Sequence, residues 1–182
     1  MNVAVCDYAA GNTRSVVVAL ARLGVDAKVT ADADAVADAD LAILPGVGSA
    51  ATAMAHLRET GLADALRERE RPTLGICLGL QLALEKSEED GGVDGLGLVP
   101  GCVVRIESER VPRIGWAPLD DEPDGDAYYF AHSYAARTPA ATATSEGIVA
   151  VVEHDGFTGV QFHPEKSGAA GARWLERCLS RV

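Results

Sequence analysis

The sequence lacks several patterns that would assign it to a class at once. It has no cluster of Lys or Arg, and its 16 basic residues face 27 acidic ones, which leaves a formal net charge of −11. Such a chain is expected to repel nucleic acids and anionic membrane surfaces. The opening MNVAVCDY also has neither the basic segment of a signal peptide nor a long apolar run. We therefore expect a cytoplasmic protein with no nucleic-acid or membrane partner.

Patterns typical of metal and phosphate sites are missing as well. The four cysteines form no CxxC pair, which argues against a zinc site or a disulfide framework. The alternating acids of ADADAVADAD at 31–40 could bind a metal, but they are more typical of a solvated connector or a short helix. The glycines at 91–97 lack the lysine and the strand-to-helix context of a phosphate loop. No metal or cofactor is predicted.

Apolar residues make up 48% of the 182 residues, in short runs that alternate with amphipathic ones. In the first half this alternation predicts parallel strands joined by helices. Short strand-like runs dominate the second half, before a last helix over Ala169–Leu179. We therefore predict one α/β domain over 1–182, with an open, mostly parallel or mixed sheet flanked by helices, as in flavodoxin-like folds. The predicted strands of the first half are Val3–Cys6, Val25–Thr30, Leu41–Leu44 and Thr73–Ile76.

The stretch GICLG sets Cys77 midway between Gly75 and Gly79, after an apolar run and before a helical pattern. This is the spacing of a nucleophile elbow, in which a strand turns sharply into a helix and lifts the central side chain above the sheet edge. The turn needs small residues on both sides, and the start of a helix favours a thiolate. A buried cysteine with glycine neighbours is the alternative, so the interpretation depends on finding a base.

His163 is the best candidate for that base among the four histidines. It follows the strand-like GVQF, and Pro164 favours an extended conformation at His163. Residues two apart in an extended chain share a face, so Glu165 is expected to orient the imidazole while the other ring nitrogen takes the thiol proton. A strand-end histidine beside a surface glutamate is the alternative. Taken together, Cys77, His163 and Glu165 predict a Cys-His-Glu catalytic triad.

The sequence PGVGS, residues 45–49, follows the third predicted strand and can lie beside the elbow. Its glycines let backbone N–H groups approach a ligand closely, so we expect an oxyanion hole from Val47, Gly48 and the N–H of Leu78. A simple turn is the alternative reading of these glycines.

Motifs along nearly the whole chain resemble those of the class I glutamine amidotransferases. Within that family the chain is similar to the glutaminase subunits of imidazole glycerol phosphate synthase, which act in histidine biosynthesis. The motifs, in order, are DYAAGNTRSV, PGVGS, GICLGLQL followed by SEE, PRIGW, YFAHSY and GVQFHPEKSG.

The resemblance implies hydrolysis of glutamine to glutamate and ammonia through a glutamyl thioester on Cys77, with His163 protonating the departing ammonia. It also implies a glutamine pocket lined by Gly48, Gln81, Glu89, His132, Ser133 and Tyr134. The alternatives are a core aromatic strand ending in a polar turn for YFAHSY, and a solvated acidic loop for Glu89.

The resemblance further implies a heterodimer with a (β/α)₈-barrel cyclase that uses the ammonia to make imidazole glycerol phosphate and AICAR. Asn12, which can also cap the first helix, and Trp116 would lie at the partner interface. Two departures from the family pattern, Ala9 for a glycine and Ala117 for an asparagine, bear on that interface rather than on the chemistry. The resemblance also implies a glutaminase that stays inactive until the acceptor of the cyclase binds. We place this switch, as a hypothesis, in the glycines of residues 45–49.

Three other functions fit parts of the same pattern. One is the glutaminase subunit of another two-subunit amidotransferase, such as pyridoxal phosphate synthase or anthranilate synthase. The second is a cysteine peptidase or thiol hydrolase, which would share the elbow and the base. The third is a binding module with a degenerate site.

Overall fold

A computed structural model describes residues 1–9, 12–108, 110–121 and 125–182. Helices and strands alternate in the first half, and strands dominate the second. The helices are α1 (Thr13–Arg22), α2 (Ala33–Asp38), α3 (Ala50–Glu59), α4 (Leu62–Glu68), α5 (Leu78–Ala83) and α6 (Gly168–Leu179). The strands are β1 (Val3–Cys6), β2 (Ala27–Thr30), β3 (Leu41–Leu44), β4 (Thr73–Ile76), β5 (Leu84–Ser87), β6 (Val93–Asp94), β7 (Val99–Arg105), β8 (Arg113–Pro118), β9 (Ala127–His132), β10 (Tyr134–Arg137), β11 (Ala141–Ser145), β12 (Ile148–His154) and β13 (Phe157–Val160).

The main sheet has the strand order β11-β12-β13-β4-β3-β1-β2 within the described ranges. From β2 through β13 the neighbouring strands are parallel, whereas β12 and β11 add antiparallel strands at one edge. The short runs VAVC, LAIL and TLGI are buried at every residue, as expected where helices cover both faces of a parallel sheet. The predicted α/β fold with a mixed sheet is confirmed.

Two apolar cores lie on the two faces of this sheet. On one face, Val16 and Leu20 of α1 pack with Trp174 of α6 against the sheet. On the other, Met54 of α3 and Leu66 of α4 lie in a separate cluster with the remaining sheet residues. The sheet is therefore held rigidly from both sides, which suits an edge that must carry precisely oriented groups.

Helix α5 is shorter than the apolar run that follows Cys77 suggests. It ends at Ala83, and the chain continues as β5, which belongs to a second sheet of order β10-β7-β5-β6. The carbonyl of Leu84 accepts a hydrogen bond from Gly97 N–H, and Leu84 pairs with Val99. Pairing with distant strands thus overrides the local helical pattern, a competition that local periodicity does not reveal.

The acidic stretch 31–40 contains the short helix α2, which is one of the two structures predicted for it. The carboxylate of Asp32 accepts hydrogen bonds from the N–H groups of Asp34 and Ala35 and so caps α2. Asp40 accepts a hydrogen bond from the N–H of Asn2 at 2.7 Å. These carboxylates therefore serve local structure.

In the described part of the chain, every helix falls short of the length and apolar character that crossing a bilayer requires.

Candidate active site

Cys77 sits at an abrupt turn between β4 and α5. Its backbone has φ 52° and ψ −105°, a left-handed conformation that a non-glycine residue adopts only at a cost of about 1–3 kcal/mol. The N–H of Cys77 donates a 2.7 Å hydrogen bond to the carbonyl of Val160 at the end of β13, which holds the turn in place. The predicted elbow geometry is present.

The two glycines of the elbow are required by contact. A Cβ atom built on Gly79 would lie 1.8 Å from the carbonyl oxygen of Leu44. One built on Gly75 would lie 2.6 Å from the ring of Phe157 and 2.8 Å from the backbone nitrogen of Leu80. The prediction that these positions need small residues is confirmed.

The Pro45–Ser49 loop lies against this elbow. Strand β3 pairs with β4, with Leu44 opposite Gly75, so the loop leaves the same edge of the sheet. A Cβ atom on Gly46 would lie 2.5 Å from the Cβ of Leu78 and 2.9 Å from the nitrogen of Gly79. The loop therefore packs against the start of α5, where an oxyanion hole was expected.

His163 and Glu165 form a buried pair. The Nδ1 atom of His163 lies 2.8 Å from Oε1 of Glu165, and each side chain is only 2% exposed. His163 itself is extended, as predicted, whereas Pro164–Lys166 form a single turn of 3-10 helix rather than a continued extended segment. The hydroxyl of Ser167 donates to the carbonyl of His163 at 2.6 Å and secures this turn. The expected contact is present, with His163 extended and Glu165 in the 3-10 turn that follows.

The charge state of His163 depends on its neighbours. Burial by itself would lower the pKa of the imidazole, but the nearby Cys77 and the hydrogen-bonded Glu165 outweigh it and raise the pKa to about 9. Its Nε2 atom is buried and makes no regular hydrogen bond with any described residue, so it is available for a reacting group. The charged, imidazolium form of His163 is therefore favoured at neutral pH.

Gln161 is a site residue that sequence reasoning missed. This side chain is fully buried, and its Nε2 lies 3.5 Å from the sulfur of Cys77. Gln81, predicted as a substrate ligand, donates from Nε2 to the carbonyl of Tyr134 at 2.8 Å and to Oε1 of Gln161 at 3.1 Å. The sequence feature that could have revealed Gln161 is a glutamine inside the apolar run GVQF, because a buried polar group there must be hydrogen-bonded.

A cavity of about 230 Å³ opens beside Cys77. This volume lies below the roughly 300–1,000 Å³ typical of drug-sized ligands and suits a single amino acid. Every residue predicted for the oxyanion hole or the glutamine pocket lines it. The lining residues are Val47, Gly48, Cys77, Leu78, Gln81, Glu89, Pro112, Ala131, His132, Ser133 and Tyr134.

Comparison with known proteins places this arrangement in a family. The family model described as glutamine amidotransferase class-I matches residues 4–182. The chain belongs to the class I glutamine amidotransferase family. The prediction drawn from the sequence motifs is thereby confirmed.

Relatives and solved structures agree with this assignment. The amidotransferase chain is 43% identical to "Imidazole glycerol phosphate synthase subunit HisH" of Exiguobacterium sibiricum, over 96% of this chain and 92% of the relative. It is 42% identical to the protein of the same name in Escherichia coli K12, over 98% and 99% of the two chains. A crystal structure titled as a glutamine amidotransferase superposes with a TM-score of 0.83 at 22% identity and covers both chains fully, which shows the shared fold.

His132 of this amidotransferase is held neutral. Its Nδ1 lies 2.8 Å from the carbonyl of Tyr134, so Nδ1 carries the proton and donates it, which leaves Nε2 as an acceptor. Burial is the main cause that lowers the pKa of His132 to about 4. The hydrogen bond to the Tyr134 carbonyl opposes burial but has a smaller effect, and the charges of Arg113 and His163 lower the pKa further. A neutral hydrogen-bonding group therefore lines the cavity.

The acidic residues at 89–90 bind the loop beside the elbow. The carboxylate of Asp90 accepts hydrogen bonds from the hydroxyl of Ser49 at 2.6 Å and from the N–H of Ala51 at 3.2 Å. Burial, followed by the charge of Asp90, raises the pKa of Glu89, and a hydrogen bond from Ala50 N–H opposes this. Glu89 and the Pro45–Ser49 loop are thus linked through the start of α3.

The residues expected at a partner interface occupy different environments. Trp116 on β8 is 58% exposed and stacks edge-on against Tyr129 at 5.9 Å. Asn12 is partly buried and accepts a hydrogen bond from the hydroxyl of Ser15, so its side chain does not cap α1 through a backbone N–H. Ala117 is buried in the core, whereas Ala9 has φ 57°, a conformation that glycine adopts without strain.

Other cavities lie away from this site. One of about 380 Å³ lies at the amino ends of β4 and β13, where Cys178 and Arg181 contribute to its lining. Burial raises the pKa of the Cys178 thiol to about 12, which favours its protonated form. A search of the described residues finds no group of three or more His, Cys, Asp or Glu side chains placed to hold a metal ion.

Proposed function

We propose that this chain, acting as one domain over 1–182, is the glutaminase subunit of an imidazole glycerol phosphate synthase. It hydrolyses glutamine to glutamate and ammonia and delivers the ammonia to a cyclase subunit in histidine biosynthesis. The observation that carries the proposal is the meeting of a strained cysteine, a buried His-Glu pair and a cavity of amino-acid size at one sheet edge. The relatives' shared name supports this choice of synthase.

The chemistry follows from the three triad side chains. His163 takes the proton of the Cys77 thiol, and the thiolate attacks the side-chain amide carbon of glutamine. The carbon–nitrogen bond then breaks while His163 returns the proton to the departing ammonia, leaving a glutamyl thioester on Cys77. A water molecule, deprotonated by His163, attacks the thioester, releases glutamate and regenerates the thiol. Glu165 keeps the imidazole oriented and stabilises its charge.

The tetrahedral intermediates place negative charge on the former amide oxygen. N–H groups of Val47, Gly48 and Leu78 are the donors that we assign to this oxygen, because the loop packs against the elbow beside Cys77. They work best where water is excluded, because a hydrogen bond to charge is stronger at low dielectric.

The cavity residues divide the recognition of glutamine between its polar ends. The Glu89 carboxylate is suited to the α-ammonium group, and Ser133 and Tyr134 offer donors for the α-carboxylate. His132 contributes a neutral acceptor, and Gln81 also lines the cavity while its own amide is engaged within the protein. The match of the class I glutamine amidotransferase family model to residues 4–182 favours this substrate over a peptide.

The cyclase partner, a (β/α)₈ barrel in a heterodimer, would dock on the face around β8. Ile114 and Trp116 of that strand are 65% and 58% exposed. Trp116 contacts Tyr129, whose ring centroid lies 6.4 Å from that of His163. Docking there, with Asn12 at its margin, would bring the ammonia acceptor close to the catalytic side and keep transfer away from solvent. A cytoplasmic location fits this biosynthetic role.

The test measures glutamate release from glutamine by the purified chain, alone and with the cyclase and its nucleotide acceptor, beside Cys77→Ala. We expect weak turnover alone, a strong rise with partner and acceptor, and none in the variant. A wild-type chain that stays silent under every condition, or a Cys77→Ala variant as active as wild type, would overturn the proposal.

A further inference from the structure

The amide of Gln161 has a defined orientation. Gln81 Nε2 is a donor and lies 3.1 Å from one terminal atom of Gln161, so that atom must be the accepting oxygen. The second hydrogen of Gln81 is fixed by the carbonyl of Tyr134, which only accepts. The remaining terminal atom of Gln161 is therefore its NH₂ group, and it points at the sulfur of Cys77 from 3.5 Å.

Both glutamines are held in place. Gln161 is fully buried and Gln81 is 7% exposed, so neither amide can exchange its partners for bulk water. The backbone N–H of Gln161 donates to the carbonyl of Ala150 at 2.9 Å, which anchors the residue one position beyond β13. A donor fixed in this way is pre-organised toward the sulfur and needs no rearrangement when charge appears there.

We propose that Gln161 is a catalytic residue, whose amide donates a hydrogen bond to the Cys77 thiolate, and that Gln81 is the positioning residue that orients this amide. The inference rests on the proposed glutaminase function and deepens it, because it assigns the stabilisation of the attacking sulfur to a neutral donor as well as to the His163 cation. Gln81 then acts on the nucleophile through Gln161, in addition to lining the cavity.

A hydrogen-bond donor at this place favours the thiolate over the thiol. A thiol gives up its proton more readily when the resulting anion receives hydrogen bonds, and buried donors have a larger effect than exposed ones. The carbonyl of Ala131, 3.9 Å from the sulfur, can accept a hydrogen bond from the thiol but cannot stabilise the thiolate. Gln161 therefore favours the reactive form and Ala131 the resting form.

The test is the pH dependence of Cys77 alkylation by iodoacetamide, followed by mass spectrometry of the peptide that contains Cys77. Gln161→Met keeps the length of the side chain and removes the donor. We expect the midpoint of its alkylation curve to rise by about one pH unit, the value of one hydrogen bond to a charged group. Glutamine turnover should fall about tenfold in kcat with less than a twofold change in KM, since the amide contacts the sulfur and not the bound substrate.

Two further variants keep the result decisive. Gln81→Met leaves the donor but releases its orientation, so we expect a smaller shift in the same direction. The double variant should match Gln161→Met alone, because both act through one amide. If Gln161→Met does not fold, Gln161→Asn, whose shorter side chain withdraws the donor, takes its place and should show the same upward shift.

An unchanged alkylation midpoint in a folded Gln161 variant would overturn the inference, as would additive effects of the two glutamine substitutions. Alkylation requires no glutamine. A chain that shows the midpoint shift but never turns over glutamine would therefore refute the proposed function while leaving the donor role of Gln161 in place.

Discussion

The substitution Glu165→Gln tests the buried pair at the centre of the site. Glutamine keeps the shape of the side chain and an oxygen that can accept a hydrogen bond from Nδ1 of His163. In the unsubstituted chain this nitrogen lies 2.8 Å from the carboxylate. What is lost is the negative charge that stabilises the imidazolium. Two unit charges about 4 Å apart interact by about 4 kcal/mol at an effective dielectric of 20, an upper limit for this loss.

A hydrogen bond to a charged group contributes roughly 1.5–3 kcal/mol, so retention of a neutral acceptor reduces the expected cost to about 1–2.5 kcal/mol. That corresponds to a fall in kcat of about 5- to 70-fold. The pH profile should change as well. Glu165 helps raise the pKa of His163 to about 9, so its neutralisation should move the alkaline limb of kcat to lower pH.

The assay is steady-state glutamate release from pH 6 to 10, with the partner and acceptor present. Glu176→Gln is the matched control, because it removes an exposed carboxylate from α6 and should leave both kcat and the profile unchanged. If kcat of Glu165→Gln stayed within threefold of wild type, or if its alkaline limb did not move, the assignment of Glu165 would fail.

Three further substitutions follow from the same geometry. Gly79→Ala should lower the unfolding temperature severely or prevent soluble expression, because its Cβ would lie 1.8 Å from the Leu44 carbonyl oxygen; a stable variant would contradict the packing at the elbow. Asp90→Gly should lower kcat/KM several-fold, because it releases Ser49 and Ala51. The control Asp94→Asn changes a nearby exposed carboxylate and should leave kcat/KM unchanged. Equal kinetics in the two variants would exclude a role for the Asp90 contact. Removal of the His132 imidazole by His132→Ala should raise KM for glutamine by the same factor from pH 5.5 to 8, because burial lowers the pKa of His132 to about 4 and keeps it neutral throughout; a factor that varies across this range would mean that His132 titrates there.

Local patterns predicted much of the main sheet. The bounds of β1, β3 and β4 match those predicted, because short apolar runs between turn residues have few alternatives in an α/β chain. The order of the strands could not be predicted from the sequence, because an apolar run does not indicate which strand it pairs with. The second sheet, in which β5 pairs with β7, was missed for that reason.

The candidate site shows the same division. Residue type and spacing were enough to single out Cys77 and the His163–Glu165 pair, because few arrangements of these groups have another use. The extended conformation of His163 was predicted correctly, whereas the 3-10 turn that begins at Pro164 was not, because the motif does not show where the extended segment ends. Gln161 escaped notice because its role depends on Gln81, 80 positions away along the chain.

The positions of the two tryptophans make the protein its own optical reporter. Trp174 is buried at 6% exposure and packs edge-on against Phe162, so its emission reports the integrity of the core. Trp116 projects from β8 at 58% exposure, and its emission depends on what covers that face. A titration with a binding partner that shifts only the red emission of Trp116 therefore measures docking. A change in the blue emission of Trp174 signals unfolding, and one unlabelled sample yields both measurements.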